Sequence, residues 1–80
     1  MTIGEACRKR ILDLCNERNI TVNKLAIISG VTQSTLNNIV SGRNNSVTAS
    51  TLKKLCDGLD ISLRDFFDSP IFDNIEQEIK

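Results

Sequence analysis

Between Thr21 and Gly42 the sequence has room for two short helices and a turn, and for little else. Thr21 is a favourable N-cap, because its hydroxyl accepts from a free amide of the first helical turn. Leu25, Ala26 and Ile28 follow within one short helix. Gly30 then interrupts, and glycine takes up the left-handed conformation that ends helices without steric cost. Only Val31 separates Gly30 from Thr32, a second N-cap. The helix after it turns Leu36 and Ile39 inward and stops at Ser41-Gly42. Two helices joined this closely cross steeply, the helix-turn-helix arrangement. Ala26 is small enough for the backbones to approach. Val31, Leu36 and Ile39 pin the second helix to a core, which leaves its opposite face free.

The rest of the chain also reads as helix. Thr2 with Glu5 fits a capping box. Cys7, Ile11, Leu14 and Cys15 then form one apolar face of a helix over roughly residues 3–18, with Leu12 off the stripe. A polar loop, Arg43-Asn44-Asn45-Ser46, precedes Thr48, which caps a helix with Leu52, Leu55, Cys56 and Leu59 inward. Ser62 with Asp65 caps a short helix through Phe67. Ser69-Pro70 starts another, because proline suits the first helical position, and Ile71, Phe72, Ile75 and Ile79 recur at helical spacing after it. No strand-like alternation, internal repeat or long linker interrupts this pattern. The expected fold is all-α, with a domain over 1–67 and a helical tail over 68–80 for packing or dimerisation.

Three cysteines without CxxC spacing, and no histidine, argue against zinc sites and histidine-based nucleophiles. Cys7, Cys15 and Cys56 each fall on an apolar helical face. Buried thiols in a reducing cytoplasm are the simple reading, and a redox sensor the sharper one. No paired carboxylates stand at a useful spacing, and Asp57 and Asp60 read as solvated helix-end groups. An enzyme is therefore not expected, nor a cofactor, a metal or a small-molecule ligand. No apolar run approaches the ~18 residues of a membrane span. The N-terminus has no basic stretch followed by an apolar one, so no secretory signal is expected. Formal net charge is zero, but it is unevenly spread. Residues 1–46 carry six basic and three acidic groups, and residues 47–80 four basic and seven acidic.

Thr21 through Gly42, continued by Thr48–Leu59 and Ile61-Ser62-Leu63-Arg64-Asp65-Phe66-Phe67, resembles the lambda repressor/Cro family, also called the XRE family. The resemblance covers roughly residues 5–67. It implies a five-helix lambda repressor-like domain, here with a short additional C-terminal helix, whose third helix lies in the major groove of double-stranded DNA. The base-contacting positions it implies are Gln33, Ser34, Asn37 and Asn38. Glutamine and asparagine pair bidentately with adenine, and serine donates or accepts. Thr21, Asn23, Thr35, Ser41, Arg43, Asn44 and Asn45 are the implied phosphate contacts. Such contacts position a domain without reading sequence. Few cations lie among them, so a shallow salt dependence is expected.

The sequence departs from the family pattern in three places. Val22 stands where many members have a phosphate-binding glutamine. Cys15 and Val40 stand where many pair an arginine with a glutamate, so apolar packing replaces an ion pair and strands no charge. Ile27 and Ile28 stand where polar groups are usual and need cover, which the tail residues Phe72, Ile75 and Ile79 would supply from the same chain or from a partner. A homodimer would bury these groups and double a weak interface. It would set two reading helices ~34 Å apart on a near-palindromic operator. The resemblance thus implies a cytoplasmic, sequence-specific transcriptional regulator, a repressor by analogy. The alternative is a protein-interaction module of the same fold, such as an antitoxin or adaptor.

Overall fold

The computed structural model describes residues 1–43 and 46–77. Five helices follow one another: α1 (Ile3–Glu17), α2 (Val22–Ser29), α3 (Gln33–Val40), α4 (Ala49–Leu59) and α5 (Leu63–Phe67). Among the described residues a single 3-10 turn, Pro70–Phe72, comes after them. No strand occurs among the described residues. The expected all-α, five-helix architecture is the one observed.

Each start matches its cap. Thr2, Thr21, Thr32, Thr48 and Ser62 all accept from the backbone amide three residues on. Two of these are full capping boxes, Thr2 with Glu5 and Ser62 with Asp65. In the first, the bond from the Thr2 backbone, followed by that from its side chain, holds the Glu5 carboxyl below the usual carboxylate range.

Three ends share one device. Asn19, Gly30 and Asp60 adopt φ of 55°, 68° and 57°. The next residue in each case is apolar, and its amide donates five residues back: Ile20 to Cys15, Val31 to Ala26 and Ile61 to Cys56. This satisfies carbonyls that a helix end leaves open and turns a hydrophobic side chain onto the core. Glycine signals the device at Gly30. Asn19 and Asp60 use it too, since asparagine and aspartate tolerate the left-handed region better than other side chains.

The core is one cluster. Ile11, Leu25, Leu36, Leu55, Cys56, Leu59 and Phe66 are its largest fully buried members. Cys7 and Cys15 join them, and Leu12 stays partly exposed as its place off the stripe requires. Burial pushes all three thiols above their ordinary range. Cys15 is buried, and Val40 packs against the same cluster. Apolar contact thus occupies the two positions where the family resemblance implies an ion pair.

α2 packs on α4 and α3, and one close approach sets its position. A Cβ added to Gly58 would lie 2.1 Å from the Ser29 hydroxyl and 3.0 Å from the Ser29 Cα. Glycine at 58 is thus what allows α2 to rest directly on the backbone of α4. Arg10 ties α1 to α5. Its Nε donates to the Phe66 carbonyl at 2.8 Å and its Nη2 to the Asp65 carbonyl at 2.9 Å. A guanidinium at a helix C-terminus satisfies open carbonyls and complements the helix dipole.

The expected short C-terminal helix is a 3-10 turn, Pro70–Phe72, and the described residues after it, through 77, are not helical although the apolar spacing continues towards Ile79. Asp73 and Asn74, which compete with the helix for backbone hydrogen bonds, follow at once. Phe72 is also already engaged, with ring centroids 5.0 Å from Phe67 and 6.0 Å from Phe66. The chain then passes the start of α1, where the Glu76 amide donates to the Met1 carbonyl and the Glu76 carboxylate faces the terminal amine. Ile75 is half-buried.

Candidate nucleic-acid interface

Helix α3 is short, and its two sides differ completely. Leu36 and Ile39 are buried, and Val40 is partly so. Gln33, Ser34, Asn37 and Asn38 are all exposed. At 100° per residue these four occupy a sector of about 140° on the side away from the core. Gln33 and Asn37 form one i, i+4 pair, and Ser34 and Asn38 a second beside it. Every member is an amide or a hydroxyl, so the face carries both donors and acceptors and no charge. The structure therefore brings the four sequence-predicted base-contacting residues onto one surface.

The flanking residues do not all have the same capacity. A phosphate only accepts, so a hydroxyl is useful to it only if its proton is free. The Thr21 oxygen accepts from the Lys24 amide, which leaves its proton available. Thr32 accepts from the Thr35 amide at 3.2 Å and lies 2.7 Å from the Thr35 hydroxyl. With Thr32 as donor there, Thr35 keeps its own proton for an outside acceptor. Ser41 differs, because its hydroxyl donates to the Asn38 carbonyl at 3.3 Å. Its contact with a phosphate would require that bond to break. Asn23, in the first turn of α2, and Arg43, after α3, are both exposed. Asn44 and Asn45 lie outside the described residues. Val22 is half-buried against the core, which explains why an apolar residue is tolerated there.

The turn after α3 holds something sequence reading did not find. Gly42 has φ of 84°. A Cβ built on it would lie 2.5 Å from Nη1 of Arg8. The half-buried arginine of α1 therefore rests against the backbone that leads out of α3. The signal was weak in the sequence, because Arg8 and Gly42 are far apart along the chain.

Ile27 and Ile28 are large apolar residues exposed on α2, at 65% and 43%. The expected cover from Phe72 in the same chain is not made. Phe72 packs with Phe66 and Phe67 beside α1, because a three-ring contact and the α1 surface are already available to it. Ile75 follows the chain towards Met1. Ile79 lies outside the described residues. Among the described residues no helix is long and apolar enough to cross a membrane.

Two short capped helices, a left-handed turn between them and an uncharged polar face on the second define a helix-turn-helix domain. The chain belongs to the family of Cro/C1-type helix-turn-helix DNA-binding domains, whose model matches residues 10–70. It is also similar to the crystal structure of prophage Lp1 protein 11, at 36% identity and a TM-score of 0.81. That alignment covers 94% of this chain and 99% of the other. No curated protein sequence matches the chain.

Proposed function

We propose that this protein is a sequence-specific transcriptional regulator, a repressor, that reads double-stranded DNA by placing α3 in the major groove. One observation carries the reading: α3 presents four exposed amide and hydroxyl side chains on the face opposite Leu36 and Ile39. Asparagine is a poor helix former, and Asn37 and Asn38 stand together in an eight-residue helix. A face made only to be solvated would not need them. Gln33 and Asn38 are the principal base contacts, with Ser34 and Asn37 beside them. Thr21, Asn23, Thr35 and Arg43 hold the flanking phosphates, and Asn44 and Asn45 extend that line. Ser41 joins the phosphate contacts only when its hydroxyl turns away from the Asn38 carbonyl.

The reading helix has little charge behind it, so binding by one copy is weak. A second copy, packed through Ile27 and Ile28, buries two exposed aliphatic side chains and doubles the interface on a near-palindromic operator. A second reading, an interaction module that keeps the fold without reading DNA, draws support from the same Ile27–Ile28 pair and from zero net charge.

Selection of binding sites from random duplex DNA separates the two. A regulator enriches a defined motif, with two-fold symmetry if it binds as a dimer. Failure to enrich any motif at low salt rules out specific readout and leaves the interaction module.

A further inference from the structure

We propose that Arg8, on α1, contacts the DNA backbone beside the turn that leaves α3, adding a phosphate contact from outside the helix-turn-helix. The proposal rests on the DNA-binding reading above. Three observations carry it.

The first is position. Nη1 of Arg8 comes so close to Gly42 that a Cβ there would lie 2.5 Å away. Gly42 immediately precedes Arg43, so α1 delivers a guanidinium to the stretch of chain that already holds one. The left-handed φ of Gly42 and the absence of a side chain together leave the space Arg8 occupies.

The second is availability. Two other cations of the described residues are already engaged. Arg10 spends its Nε and Nη2 on the α5 carbonyls, and Lys53 pairs with Asp57. Arg8 forms no ion pair among the described residues. Glu5, one turn earlier, feels its charge only weakly, and Glu5 Oε1 accepts from the Thr2 backbone. A guanidinium keeps its charge at any physiological pH and offers a planar donor fork that fits phosphate.

The third is need. The four residues that face outward from α3 are neutral. Charge that anchors the helix has to come from its edges, and Arg8 is only half-buried, as suits an arginine that lays its stem along a surface and keeps its charged head accessible.

The test compares Arg8→Gln, Arg8→Lys and Lys9→Gln with the wild type. Lys9 is the exposed neighbour and controls for the loss of one positive charge. Binding is measured by fluorescence anisotropy across a salt series, on a duplex bearing the selected motif and on a scrambled duplex. Arg8→Gln is expected to weaken binding to both duplexes by roughly tenfold, as for loss of a charge-assisted hydrogen bond. It should also lower the salt slope by about one and leave base preference unchanged. Arg8→Lys should restore the slope, and Lys9→Gln should do much less. Arg8→Gln binding that matches Lys9→Gln, with an unchanged slope, overturns the proposal alone, whatever happens to the melting temperature. A wild type that binds neither duplex overturns the DNA reading and the proposal with it.

Discussion

Helices α3 and α4 begin in the same way and then diverge. Each is capped by a threonine that accepts from the amide three residues on, and each carries a second threonine at that position. In both, the two hydroxyls also bond, at 2.7 Å in α3 and 3.0 Å in α4. Each sends aliphatic side chains into the same core. Their outward faces share one exposed serine, Ser34 in α3 and Ser50 in α4, and otherwise differ. α4 shows Lys53 and Asp57, an i, i+4 ion pair of the kind that supports a solvated helix. α3 shows Gln33, Ser34, Asn37 and Asn38, uncharged amides and a hydroxyl that form no such pair. Caps and inward faces therefore report how the chain folds. The outward face reports what the fold is for.

The largest effects should appear where the two helices are alike. Leu36→Ala in α3 and Leu55→Ala in α4 each empty a fully buried site. Each is expected to cost about 2–5 kcal/mol in urea denaturation. A much smaller loss at Leu36 would mean that α3 is not anchored as described.

The next effect should separate the helices. Gln33→Ala and Asn38→Ala are each expected to lower affinity for the selected duplex by about 1–3 kcal/mol, with scrambled duplex nearly unaffected. Folding stability should hold, and Asn38→Ala should raise it slightly, since alanine is the better helix former. Lys53→Ala, on the matching face of α4, should leave affinity unchanged and cost only about 0.3–0.5 kcal/mol of stability, as an exposed pair does.

Smaller still are the shared caps. Thr32→Ala and Thr48→Ala should each cost about 1 kcal/mol in the same denaturation assay. Only Thr32→Ala should also weaken DNA binding, because it frays the first turn of α3 where Gln33 and Ser34 stand.

What the sequence made legible, and what it did not, divides along the range of the interactions. The caps at Thr2, Thr21, Thr32, Thr48 and Ser62 and the apolar stripes are written within a few residues, and reading them locates all five helices. The outward set on α3 is legible for the same reason. Asn19 and Asp60 were not visible as left-handed ends, because either residue adopts that conformation only where its neighbours require it. Arg10 at α5, Arg8 against Gly42 and Gly58 against Ser29 join distant parts of the chain, and no local pattern announces them. The short C-terminal helix was legible, but its 3-10 form and its end at Phe72 depend on contacts of the same long-range kind. Its spacing is helical, but Phe72 finds Phe66 and Phe67 before a helix extends. Ile27 and Ile28 are exposed, and Phe72, one of the residues expected to cover them, packs with Phe66 and Phe67 instead.

The contrast between α3 and α4 is tested most directly by nuclear magnetic resonance of isotope-labelled protein titrated with the selected duplex and with a scrambled one. Side-chain amides of Gln33, Asn37 and Asn38 are expected to shift with the selected duplex and not with the scrambled one, while Lys53, Asp57 and the rest of the exposed α4 face stay in place. Unmoved α3 amides, with the largest shifts on α4 or at Ile27 and Ile28, would contradict the assignment of α3 as the reading helix.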